Sequence, residues 1–144
     1  MPEQILYTAI ATSTGDGRNG HVRSPDGLID TDVRFPVELG GAGGATNPEQ
    51  LFAAGYAACF HSALKSSKSQ HGVDVNDSAV TAEVGIGPTG LGGFGLAVTL
   101  RVEMSGVSQE DADKAVGVAH DWCPYSNATR GNTVVDITAV QAPA

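Results

Sequence analysis

Residues 46–64, TNPEQLFAAGYAACFHSAL, decide how the rest of the chain must be read. The stretch opens with helix-start signals in the right order. Asn47 can cap, Pro48 suits the first helical position, and Gln50 can reach back to the cap as in a capping box. The spacing predicts a helix running to about His71, where Gly72 offers the left-handed residue that ends helices. From Leu51 to Leu64 every face of that helix is apolar or small. Such a helix is normally covered on all sides.

The flanking sequence supplies short strands to cover it. On the N-terminal side, residues 4–11 (QILYTAIA) read as a strand, followed by the turn-rich Thr14-Gly15-Asp16-Gly17. Residues 18–23 and 28–35 flank Ser24-Pro25-Asp26-Gly27, a β-turn signal, so the first third is expected to be a small antiparallel meander. Leu39 to Ala45 holds four glycines and reads as flexible. On the C-terminal side, residues 79–86 and 96–104 read as strands around a glycine-rich turn. Leu96, Val98, Leu100, Val102 and Met104 alternate cleanly with Ala97, Thr99, Arg101 and Glu103. Ser108 opens a second helix with acids on its first turn, and Pro124 must stop it near Cys123. A last strand covers Thr133 to Val140. The order βββ–α–ββ–α–β describes an α+β fold in a single domain, residues 1–144, without repeat or linker. One small sheet cannot enclose a wholly apolar helix, so a homodimer is expected, its sheets wrapped around paired helices.

Charge narrows the possible partners. The net charge of −8, with eight scattered Lys and Arg, argues against nucleic acid and against anionic membranes. No apolar run approaches the roughly 20 residues that span a bilayer. Ile5 to Ala11 is too short for a signal peptide, follows Glu3 and lacks a basic leader. A cytoplasmic location follows as the expectation, where cysteine pairs are more often catalytic or metal-binding than structural.

Two cysteines are present, Cys59 inside the first helix and Cys123 at the end of the second. They read either as small core hydrophobes or as a reactive pair. A reactive cysteine must be a thiolate. Cys59 lies three turns into its helix, beyond useful range of the dipole, so reactivity demands a cationic side chain, best an Arg, itself held by a carboxylate. Spacing alone does not say which residues these are. Zinc is the rival chemistry. Cys59 and His61 point about 200° apart on a helix and cannot share a metal, which leaves at most His120, Cys123 and Cys59. Gly85-Ile86-Gly87-Pro88-Thr89-Gly90 matches a dinucleotide fingerprint by letter, but Pro88 and a strand follow where a helix is required. Asn127-Ala128-Thr129 is a glycosylation sequon without meaning in a cytoplasmic chain.

Two longer motifs go further. Asn47-Pro48-Glu49-Gln50-Leu51-Phe52-Ala53-Ala54-Gly55-Tyr56-Ala57-Ala58-Cys59-Phe60 resembles the first cysteine motif of the organic hydroperoxide resistance (Ohr) proteins of the Ohr/OsmC family. Cys123-Pro124-Tyr125-Ser126-Asn127-Ala128-Thr129-Arg130-Gly131-Asn132 resembles their second, and Gly17-Arg18-Asn19-Gly20 and Ser24-Pro25-Asp26-Gly27 fit as well. The resemblance spans essentially the whole chain. It implies an OsmC-like fold, antiparallel sheets wrapped around central helices in an intertwined dimer. It implies a thiol peroxidase with no bound cofactor. Arg18 would hold Cys59 as thiolate, and Glu49 would orient Arg18. Cys59 would attack an organic hydroperoxide, and Cys123 would condense with the resulting sulfenic acid to a disulfide. The disulfide would be reopened by an external dithiol, dihydrolipoamide or a lipoylated protein. Placed at a helix C-terminus, Cys123 is expected to stay protonated and compete little for peroxide.

Overall fold

The computed structural model describes residues 1–141; residues 142–144, part of the expected domain, lie outside them. The chain forms two compact units, Met1–Pro48 and the residues from Glu49 onward.

In the first unit β1 (Thr12–Asp16), β2 (Asn19–Arg23) and β3 (Asp30–Asp32) form the expected antiparallel meander in the order β1-β2-β3. Gly17 and Arg18 make the tight turn between β1 and β2, with Gly17 at φ 63° and Asp16 paired with Asn19. A glycine in the first central position suits the right-handed twist of a two-residue hairpin. The Ser24–Gly27 turn closes as expected, the Gly27 N–H donating to the Ser24 carbonyl at 3.0 Å. Across β2 and β3, His21 bonds Asp32 at 2.8 Å and Asp30 at 2.5 Å. The Asp32 bond, then that of Asp30, holds the imidazole above its ordinary pKa.

The first strand is not where the sequence places it. Residues 4–11 form no strand, and β1 instead occupies 12–16, taking in most of the expected turn. The register explains the shift. Thr12 pairs with Arg23, the last residue of β2, and the chain then bends away through Ser24 and Pro25. Pro25 has no N–H to offer, so residues before Thr12 find no ladder partner. Their side chains stay open, Leu6 87% and Tyr7 82% exposed.

The second unit carries the thiols. α1 (Pro48–Ser66) runs without interruption past Gly55. The expected single helix to His71 instead breaks at buried Ser67, and α2 (Lys68–His71) follows. His71 folds back to donate from Nε2 to the Leu64 carbonyl at 2.8 Å and to accept the Val73 N–H at 3.0 Å. Gly72 ends the helix in the left-handed region, φ 69°.

β4 (Ser78–Pro88) and β5 (Phe94–Met104) form a long antiparallel hairpin, so the GxGxxG letters lie in a strand and its turn. α3 (Gln109–Trp122) starts at Ser108, whose hydroxyl accepts the Asp111 N–H, and a short helix, α4 (Pro124–Thr129), follows at once. β6 (Val134–Gln141) then joins β5 in parallel, a departure from an all-antiparallel arrangement. Parallel neighbours need a long crossover, and α3 and α4 supply it.

Alternation along β5 buries Val98, Leu100, Val102 and Met104. Ala112, Ala115, Val116 and Ala119 of α3 join them with the spacing of one helix face. Tyr56, Phe60, Ala63 and Leu64 of α1 complete that core. The expectation that α1 is covered on every face does not hold within the chain: Leu51, Ala54, Ala58 and Ser62 lie exposed at helical spacing. No helix among the described residues is long and apolar enough to cross a membrane.

Candidate active site

Cys123 extends the buried stripe of α3, four residues beyond Ala119, and is fully buried. Its backbone N–H closes α3 on the Ala119 carbonyl, and its own carbonyl accepts the Asn127 N–H of α4. It therefore stands between the end of one helix and the start of another, so a view based on the end of α3 alone is incomplete. Pro124 explains both events, since it stops α3 and suits the first position of α4. The end of α3 is held further by Arg130, which donates to the His120 carbonyl at 2.7 Å.

Cys59, half-buried near the middle of α1, meets this junction. The two thiols are free, and Cys123 Sγ donates to Cys59 Sγ at 3.5 Å. A disulfide is about 2.05 Å long, so the pair is within an easy approach of bonding. Burial pushes the Cys59 thiol above its ordinary pKa. The backbone N–H of Tyr125 hydrogen-bonds the same sulfur and works the other way, while neighbouring Cys123 adds to the upward push. Within this unit the balance of these effects leaves the Cys59 thiol above its ordinary pKa.

An aromatic wall flanks the pair. Phe52, Tyr56 and Tyr125 pack with ring centroids 5.6–6.1 Å apart. Tyr125 seats against Gly55, where even a methyl group would come within 2.7 Å of its hydroxyl. The Tyr56 hydroxyl reaches Ser126 Oγ at 2.8 Å and Thr129 Oγ1 at 3.2 Å.

Of the four residues expected in the site, the structure brings Cys59 and Cys123 together. Glu49 lies half-buried in the first turn of α1, ten residues before Cys59. Arg18, in the first unit, sits half-buried at the β1–β2 turn with its guanidinium carbon 6.0 Å from the Phe35 ring centre. Among the described residues no three His, Cys, Asp or Glu side chains gather as a metal would require. His61 is engaged elsewhere, with Nε2 3.0 Å from Ser78 Oγ. The hydroxyl cluster of Tyr56, Ser126 and Thr129 has no sequence signal, because Tyr56 sits in an apolar run and reads as core.

A family model described as OsmC-like protein matches residues 41–138. The organic hydroperoxide resistance protein of Xanthomonas axonopodis pv. citri is 50% identical, the match covering 95% of this chain and 96% of that one. Among solved structures, an organic hydroperoxide resistance protein from Elizabethkingia anophelis is 49% identical with a TM-score of 0.89, covering 96% of this chain and 99% of that one. OhrB of Bacillus subtilis is 42% identical with a TM-score of 0.84, covering 94% and 100%. With a paired-thiol junction on an α+β frame and likeness along nearly its whole length, the chain belongs to the OsmC-like family, in its organic hydroperoxide resistance branch.

Proposed function

We propose that the protein is a thiol peroxidase that reduces organic hydroperoxides to alcohols and so defends the cell against them. The observation that carries this reading is the approach of two free thiols to 3.5 Å beside an aromatic wall. The names of the relatives point to the same substrate class. Cys59 as thiolate attacks the peroxide oxygen; an S–O bond forms, the O–O bond breaks, and the alkoxide leaves as alcohol after taking a proton. Cys123 then attacks the sulfenic sulfur, forming the disulfide and releasing water. Two electrons from an external dithiol, a dihydrolipoyl group on a lipoylated protein, restore both thiols. Thiols that must return to the reduced state suit the cytoplasm.

The rival reading is a binder of apolar ligands whose cysteines are only core. Free-thiol titration after one equivalent of cumene hydroperoxide separates the two. The peroxidase loses both thiols together; retention of both would establish the binder.

Because burial works against the Cys59 thiolate, activation calls for a cation. We assign that role to Arg18, oriented by Glu49. Arg18→Ala is expected to raise the pH midpoint of Cys59 alkylation. Each unit of rise removes about nine-tenths of the thiolate at pH below the midpoint. Arg18→Lys should recover only part, because an ammonium lacks the planar fork. An alkylation profile unchanged in Arg18→Ala refutes the assignment.

The working form is a homodimer. Two features support it: the exposed Ile5, Leu6, Tyr7 and Ile10 ahead of β1, and the uncovered stripe of α1 through Leu51, Ala54 and Ala58. Small residues on such a stripe allow two helices to approach closely.

A further inference from the structure

The contacts of α1 with Cys123 and with α4, which begins at the next residue, form a series. Cys59 meets Cys123 at 3.5 Å. One turn earlier on α1 and one turn later on α4, Tyr56 meets Ser126 at 2.8 Å. Thr129 Oγ1, 3.2 Å from the Tyr56 hydroxyl, donates its own proton to the Ser126 carbonyl at 3.2 Å. With that proton committed, Thr129 accepts from Tyr56, and Tyr56 accepts from Ser126. Every hydroxyl in this chain donates once, and Tyr56 and Ser126 are fully buried.

Packing alone does not ask for a tyrosine at position 56. Its ring already contacts Phe52 and Tyr125, and phenylalanine would fill the same volume. A buried hydroxyl needs partners to offset its desolvation, and here both lie on α4. That helix has six residues, too few to hold its own position through internal bonds. It also begins at the residue after Cys123.

We propose that Tyr56 is a positioning residue for disulfide formation: its hydroxyl ties α4 to α1 and so keeps Cys123 within reach of the Cys59 sulfur once that sulfur is oxidised. This rests on the peroxidase reading above. In the step concerned, the Cys123 sulfur attacks Cys59 sulfenic acid. The S–S bond forms, the S–O bond breaks, and the oxygen leaves as water with the Cys123 proton. The sulfurs must close from 3.5 Å to about 2.05 Å, and a loose α4 would make that approach rare. Attack of Cys59 on the peroxide uses neither α4 hydroxyl; the Tyr125 N–H that bonds the Cys59 sulfur belongs to the first turn of α4, which the Asn127 N–H to Cys123 carbonyl bond holds without the Tyr56 hydroxyl.

Rapid-quench kinetics with cumene hydroperoxide, trapping sulfenic acid with dimedone, separate the two steps. Trp122, next to Cys123 and the only tryptophan, provides a parallel fluorescence signal. In Tyr56→Phe the first step should stay within about twofold of wild type while disulfide formation slows by about tenfold, so that sulfenic acid accumulates. Ser126→Ala, which leaves the Tyr56–Thr129 bond, should shift the same ratio in the same direction and carries the test should Tyr56→Phe not fold. A tyrosine that matters only for stability would lower Tm and leave both rates unchanged, which overturns the proposal. An equal fall of both steps overturns it too. Failure of the wild-type protein to form any sulfenic acid would instead refute the peroxidase reading.

Discussion

Cys59→Ser is expected to abolish hydroperoxide consumption, and Cys123→Ser to leave one turnover and no more. Serine at position 59 removes the sulfur proposed to take the peroxide oxygen, and a hydroxyl is not ionised at neutral pH to replace it. The residual rate should be that of the uncatalysed reaction with the reductant. Serine at position 123 leaves attack on the peroxide in place but removes the sulfur 3.5 Å from Cys59 that completes the disulfide. One equivalent of alcohol should appear per active site, together with a sulfenic acid that dimedone traps. Turnover with lipoamide should then stop. Because Cys123 is fully buried, a serine there places a hydroxyl in the core and costs about 1–3 kcal/mol if unpaired. Cys123→Ala, which avoids that cost, should give the same kinetic pattern, and a Tm measurement on both variants separates stability from chemistry. Full multiple turnover in either variant would show that Cys123 does not resolve the intermediate.

The parts of the fold visible in the sequence are those that one segment settles by itself. Alternation along β5 reflects burial of one face, and Val98 to Met104 are buried as their period predicts. Ser108 caps α3 through a bond three residues away. What the sequence conceals depends on distant partners or on one residue serving two purposes. Residues 4–11 carry strand-like composition, yet a strand needs a neighbour, and the turn at Gly17 sets a register that leaves them without one. At the break at Ser67, His71 folds back to the Leu64 carbonyl, a contact that no local pattern announces. Pro124 announces the end of α3, and the same property makes it the first residue of α4. The parallel entry of β6 requires the long α3–α4 crossover, and no local pattern states it.

Within the candidate site, the motif around each cysteine marks the pair, and the structure places the thiols together. Arg18 and Glu49 rest on the family resemblance, because neither composition nor spacing distinguishes them from other charged residues. Tyr56 lies at the opposite extreme. Its partners Ser126 and Thr129 stand 70 and 73 positions away, and a tyrosine in an apolar run looks like ordinary core until its hydroxyl is located.

A mixture of Glu49→Ala and Cys59→Ser chains is expected to regain activity that neither variant has alone, which tests the proposal that Glu49 and Cys59 of one site come from different subunits. Both residues lie on α1, which runs unbroken from Pro48 through Gly55 to Ser66. Ten residues of helix span about 15 Å and turn through about 1000°, so the two also point roughly 80° apart. Both side chains lean toward the helix N-terminus, so the lean does not close the gap between them. One guanidinium can bond a carboxylate and a sulfur only if they lie within about 7 Å of each other. Within one α1, a rise of about 15 Å between their backbones exceeds that reach. If two copies of α1 pack across a two-fold axis along the uncovered Leu51, Ala54 and Ala58 stripe, Glu49 of one subunit approaches Cys59 of the other, and each dimer holds two equivalent sites. Glu49→Ala homodimers should lose about 10²-fold in kcat/KM through misplacement of Arg18. Cys59→Ser homodimers should be inactive. The heterodimer pairs the Cys59 of one chain with the Glu49 of the other and should show about half the wild-type activity per dimer. Differential tags allow the heterodimer to be purified and its composition confirmed before assay. Activity no higher than that of the parent variants would show that each subunit builds its own site, and the geometric requirement on Arg18 would then fail.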